Sequence, residues 1–149
     1  GGWEVAAIFA ARSGERLLVT QPSAIPNSRP DFVGGNPVYA DWRSSRVYLN
    51  RDSFALVPLI PASRVTERPG TVRPDQVRGP GTRVVDVTFA KNMKVKKGLS
   101  VQIRADMFNA LNRPNYGNPT TNITDAFFGQ IRGLATPPRV IQLGARVKF

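Results

Sequence analysis

Acid–base chemistry in this chain would have to come from carboxylates. They are Glu4, Glu15, Asp31, Asp41, Asp52, Glu67, Asp75, Asp86, Asp106 and Asp125, in a sequence with no His and no Cys. The missing imidazole removes the usual general base, the commonest metal ligand and any Ser-His-Asp arrangement. The missing thiol removes disulfides and thiolate chemistry. No two acids stand at a recognisable acid/base spacing. Asp86 and Asp106 fall on the polar faces of two neighbouring strands near Arg104. Like charges on facing strands need a cation between them, so this group reads as an ion network rather than a catalytic pair. Gly79-Pro80-Gly81 lacks the Lys-Ser/Thr step of a phosphate loop. The expectation is a non-enzyme with no catalytic, cofactor-binding or metal residues.

Two further groups carry polar chemistry. Arg64, Arg68, Arg73, Arg78 and Arg83 recur in a chain of net charge +11, which suits phosphate or nucleic acid. The basic residues are spread along the chain, however, and the aromatics alternate with Pro instead of forming a stacking platform. A solvated loop, or pairing with anionic lipopolysaccharide at the outer surface, is the expected role, and nucleic acid is not expected as a partner. Asn109, Asn112, Asn115, Asn118 and Asn122 surround Pro114 and Pro119. Asn tolerates unusual backbone angles and caps turns, so a structural role is expected. Asn122-Ile123-Thr124 matches a glycosylation acceptor, but so short a match arises easily by chance.

These residues are positioned by alternating segments. In Val85-Asp86-Val87-Thr88-Phe89, in Leu99 to Met107 and in Ile141 to Phe149 the odd positions are mostly apolar. Asp86, Arg104, Asp106, Arg146 and Lys148 occupy even ones. Period-two alternation places successive side chains on opposite faces of a strand. Segments of about ten residues, apolar on one face and polar on the other, match strands of a membrane barrel. A soluble one-faced antiparallel sheet shows the same pattern. Expected strands are 3–11, 16–20, 83–95, 99–111 and 139–149. A short amphipathic helix is the alternative for the Ala-rich first segment. Lys96-Lys97-Gly98 reads as a tight turn. Residues 21–81 hold most of the Pro, which removes the donor a ladder needs. With Phe32, Tyr39, Trp42, Tyr48 and Phe54 interleaved, this stretch reads as an ordered long loop, with Val47–Asn50 and Phe54–Val57 as possible short strands. A second long loop covers 112–138, with Phe127-Phe128 as its anchor. No run of 18 apolar residues exists for a transmembrane helix. Length fits one domain, 1–149. The N-terminus has neither an initiator Met nor a signal peptide, as expected of a processed or fragmentary chain.

The order of several short pieces resembles one family. They are Arg78-Gly79-Pro80-Gly81, Asp86, Lys91-Asn92, Arg104-Ala105-Asp106-Met107-Phe108-Asn109, Asn112-Arg113-Pro114-Asn115-Tyr116-Gly117-Asn118-Pro119, Phe128-Gly129 and Pro138 to Gly144 with Phe149. Gly2-Trp3, Ser13-Gly14 and Arg29-Pro30-Asp31 extend it upstream. The chain resembles the C-terminal end of TonB-dependent outer-membrane receptors of the Oar-like type, which carry a carboxypeptidase-regulatory-like N-terminal domain. The resemblance implies an all-β fold: antiparallel transmembrane β-barrel strands, the C-terminal part of a larger barrel, with long Pro-rich extracellular loops. It implies energised uptake of a large or scarce ligand across the bacterial outer membrane, with outer-membrane lipid and the barrel-assembly machinery as partners. Phe149 resembles the terminal signal that this machinery reads. The family's ligand-selecting residues lie in the plug and many loops, so none carries over. The departure is length, because such receptors have a plug and about 22 strands.

Two other readings stay open. About four long strands cannot close a barrel, so their edges would need other strands of the same barrel or neighbouring chains. A non-catalytic structural or assembly subunit at the cell surface, in a filament or membrane complex, would use them that way. A basic soluble module binding polyanions would be monomeric and salt-sensitive.

Overall fold

Alternation over ten or more residues produces long strands, and Pro-rich sequence produces short ones. The computed structural model describes residues 1–149. Its strands are β1 (Trp3–Arg12), β2 (Arg16–Leu17), β3 (Asp31–Phe32), β4 (Phe54–Ala55), β5 (Val77–Arg78), β6 (Thr82–Lys96), β7 (Leu99–Phe108) and β8 (Val140–Lys148). One short helix, α1 (Trp42–Ser45), and a 3-10 turn at Arg51–Ser53 complete the regular structure. The fold is all-β and antiparallel, and the sheet is open. The chain divides into two compact units: Gly1–Arg12 with Gly81–Asn115 and Leu134–Phe149, and Ser13–Pro80 with Tyr116–Gly133.

The first unit is a four-stranded sheet ordered β1-β6-β7-β8. Trp3–Arg12 is a strand throughout, so the helical alternative for that segment fails. Its partner β6 supplies the cross-strand neighbours that Ala-rich sequence lacks locally. Every ladder joins odd residues to odd ones: Val5↔Phe89, Phe89↔Ala105, Ala105↔Leu143. Each face of the sheet therefore carries one parity. The register slips only between Lys94 and Lys96, a bulge beside the β6–β7 turn. Gly98 makes that turn at φ 86°, a conformation Gly adopts without strain. Both long connections leave from the other end, where Arg12 pairs Thr82 and Phe108 pairs Val140.

β7 stops at Phe108, not at Leu111 as the alternation suggests. Asn109 turns to φ 49° and its N–H donates to Asp86 Oδ1 at 2.8 Å. The Ala110 N–H then donates to the Val85 carbonyl. A side-chain carboxylate thus takes the place of the next ladder bond.

The second unit has an apolar core of its own. Leu17, Val19, Trp42, Tyr48, Leu49, Phe54, Val72, Val77, Ile123, Phe128 and Ile131 are buried together. The strand expected over 16–20 is a ladder only at Arg16–Leu17; Thr20 makes an isolated parallel bridge to Asn122. Of the short strands suggested at 47–50 and 54–57, Phe54–Ala55 is β4, while Val47 and Leu49 make single bridges. Gly129 sits at φ 78°, and a Cβ there would meet the Leu49 carbonyl oxygen at 2.6 Å. Only Gly permits that approach.

Candidate functional site

Parity converts the sequence pattern into surfaces. The odd face of the sheet carries Trp3, Val5, Ala7 and Phe9 on β1, Val85, Val87 and Phe89 on β6, Val101, Ile103, Ala105 and Met107 on β7, and Ile141, Leu143, Ala145 and Val147 on β8. These side chains are not hidden: Phe9 is 67% exposed and Leu143 80%. A continuous apolar surface of this extent is not left to water in a soluble monomer. Two cations share its parity, Arg83 opposite Ala11 at one end and Lys91 opposite Trp3 towards the other; Lys91 is the one set among the apolar side chains. Its ammonium donates to the Gly1 carbonyl at 2.9 Å and lies 4.5 Å from the Trp3 ring centroid. The charge is thereby drawn towards the turn end of the sheet, with its stem along apolar surface.

The even face carries the polar chemistry. Arg104 Nε donates to both Asp106 oxygens, at 3.0 and 2.7 Å, and Thr88 Oγ1 donates to Asp106 Oδ1 at 2.6 Å. The sequence places Asp86, Asp106 and Arg104 in one network, and the structure separates them. Asp106 is neutralised by Arg104, while Asp86 accepts the Asn109 N–H at the strand end. The even position opposite Asp86 is Ile8, not an acid. A recess of about 400 Å³ lies at this end, with Val84, Phe108 and Val140 as apolar wall and Asp86 and Gln142 as polar edge. Such a surface suits an apolar group with a polar rim.

The Asn-rich stretch is structural where the bonds are seen. Asn115 Oδ1 accepts the Arg83 N–H at 2.7 Å, and its Nδ2 donates to Thr136 Oγ1 at 2.9 Å. Asn109 is buried and donates to the carbonyls of Arg113 and Pro137. Asn112 Oδ1 accepts the Arg139 N–H. These bonds fix how the second long connection leaves and rejoins the sheet.

Of the five arginines between 64 and 83, two are held in ion pairs. Arg68 donates to both oxygens of Asp31 at 2.8 and 2.6 Å. That bond holds the Asp31 carboxyl below its usual value. Arg73 pairs with Asp75 and lowers that carboxyl in the same way. Arg78 lies in β5 and Arg83 in β6. Phe128 is buried against Phe54 at 5.8 Å between centroids, whereas Phe127 is exposed under Arg132. Sequence reasoning missed the amide clamp of Gln21, whose Nε2 and Oε1 bond the carbonyl and N–H of Val57, each at 2.9 Å. It also missed the edge-to-face stack of Tyr48 and Tyr116 on Trp42. Burial raises the Tyr48 hydroxyl pKa, and the hydroxyl donates to the Arg78 carbonyl at 2.7 Å.

β1 and β8 are bonded on one side only. Each leaves a row of backbone donors and acceptors open. Phe149 follows β8 and is 99% exposed. No cluster of three or more potential metal ligands forms among His, Cys, Asp and Glu. No helix is long and apolar enough to cross a membrane, which says nothing of strands.

The family model of the outer membrane beta barrel domain matches residues 1–142. No curated protein and no solved structure matches the chain.

Proposed function

We propose the following of a chain that belongs to the outer membrane beta barrel domain family and resides in the bacterial outer membrane: it forms the C-terminal part of a TonB-dependent transporter barrel that takes up a large or scarce ligand. The observation that carries the reading is the register. It sets the apolar residues of four long strands on one exposed face and leaves both edges of the sheet unpaired. In a bilayer the odd face meets lipid and the even face lines the lumen. Backbone groups at an open edge find no water there, so β1 and β8 must pair with further strands. The motif order around Arg104–Asn109 and Asn112–Pro119 supports the transporter type. The short Lys97-Gly98 turn then faces the periplasm, and the long connections are extracellular. Their folded core offers a rigid surface for recognising a ligand outside the cell.

A second reading is favoured by the edges themselves. The same sheet could serve as a non-catalytic assembly subunit whose edges are closed by neighbouring chains.

One gel separates the two. Fractionated cells are probed with an antibody against residues 139–149, boiled and unboiled. The transporter reading expects an outer-membrane band several times larger than 16.3 kDa that shifts on boiling. A band near 16.3 kDa overturns it in favour of the assembly subunit.

A further inference from the structure

On the even face, towards the β6–β7 turn, three cations make no ion pair within the chain. The register sets two rows side by side across β6, β7 and β8: Lys94–Ser100–Lys148 and Asn92–Gln102–Arg146. The ion pairs of the chain are Arg68–Asp31, Arg73–Asp75 and Arg104–Asp106, so Lys94, Arg146 and Lys148 stand outside them. Arg104, in the following row, is already neutralised. Glu4, on the neighbouring β1, accepts from Asn92 Nδ2 at 2.7 Å. Between the rows lies a concavity of about 130 Å³ bordered by Asn92, Ser100, Gln102, Arg146 and Lys148.

Like charges gathered on one sheet face repel and cost stability. Here only neutral hydrogen-bonding groups separate them. A guanidinium fork, an ammonium, a hydroxyl and two amides border the concavity, the donor set of an oxyanion site, with Lys94 next in the row. We propose that these rows bind the phosphate or carboxylate group of an anionic solute on the inner wall of the barrel, near the Lys97-Gly98 turn. The proposal rests on the even face being the lumen and adds a substrate class to the transport reading: solutes bearing an oxyanion.

The test is calorimetric titration of the full-length barrel that contains this chain, purified in detergent, with inorganic phosphate and separately with acetate. Binding of either supports the site, and the tighter of the two tells phosphate from carboxylate chemistry. Replacing Arg146→Gln and Lys148→Gln together is expected to weaken binding about tenfold or more, the scale of losing a charged hydrogen bond. Arg146→Lys keeps the charge but loses the fork, so it should weaken binding less than the double variant does. Should the double variant fail to fold, Arg146→Lys alone decides: unchanged binding contradicts the site. Flat titrations of the wild type, or equal binding by the double variant, overturn the proposal. So does a wild type that binds neither anion while the double variant loses heat resistance, which would mean a carboxylate from another strand already occupies the cations. The gel shift on boiling is read on the same samples. Loss of the shift in the wild type would sink the barrel reading, whereas a retained shift with a flat titration sinks only the anion site.

Discussion

Leu49 and Leu143 are the same residue in opposite surroundings. Leu49 is 1% exposed inside the unit built from the long connections, and Leu143 is 80% exposed on the sheet. Val19 and Val5 repeat the contrast, at 0% and 64%. The connection unit obeys the rule for a domain in water, with aliphatic and aromatic residues inside and ion pairs such as Arg68–Asp31 outside. The sheet unit inverts it: apolar side chains stand outward, and Arg104–Asp106 lies on the opposite face. One composition is sorted by two solvents. Where hydrocarbon is the solvent, an exposed Leu needs no protein partner, and the cost moves to unpaired backbone and charge.

The contrast can be broken from either side. In the connection unit, Leu49→Ala leaves a cavity and should cost about 2–5 kcal/mol of that unit's stability. Protease resistance of residues 13–80 would fall while the boiling shift of the barrel persists. A loss of both together would mean the two units do not fold separately. In the sheet, Leu143→Arg lies near the middle of the apolar band and should destabilise the inserted barrel by about 2–4 kcal/mol, read by urea unfolding from lipid vesicles. A change near zero would mean this face meets water.

Smaller effects sharpen the picture. Tyr48→Phe leaves the Arg78 carbonyl without its donor and should cost the connection unit about 0.5–1.5 kcal/mol, again without touching the barrel shift. The smallest effect concerns pH. Arg68 holds the Asp31 carboxyl below its usual 3.8. A depressed carboxylate contributes stability that is complete above the unfolded value and is lost as pH falls through the lowered folded value. The connection unit should therefore loosen below about pH 4, followed through protease cleavage. Asp31→Asn should flatten that dependence; an unchanged profile would assign it to other acids.

The sheet was largely legible in the sequence because period two is a local signal. The alternation at Leu99 to Met107 and at Ile141 to Val147 predicts which residues share a face, and the ladders place them so. The end of β7 was not legible, since it depends on Asp86 reaching Asn109 across 23 positions. The Pro and aromatic content of the connection unit predicts an ordered loop, yet its core brings Trp42 onto Tyr116, and the Gln21 clamp onto Val57, through contacts no local pattern reports. The cation rows needed the register: Lys94, Ser100 and Lys148 become neighbours only once β6, β7 and β8 are aligned.

The most direct test of the inverted sheet is a nitroxide scan along β8, with single Cys substitutions from Ile141 to Val147 in the full chain in lipid vesicles. Odd positions should collide with lipid-soluble oxygen and even positions with a water-soluble nickel chelate, alternating at every residue. Equal access to the nickel chelate at odd and even positions would contradict the account, because it would put water on both faces of the sheet.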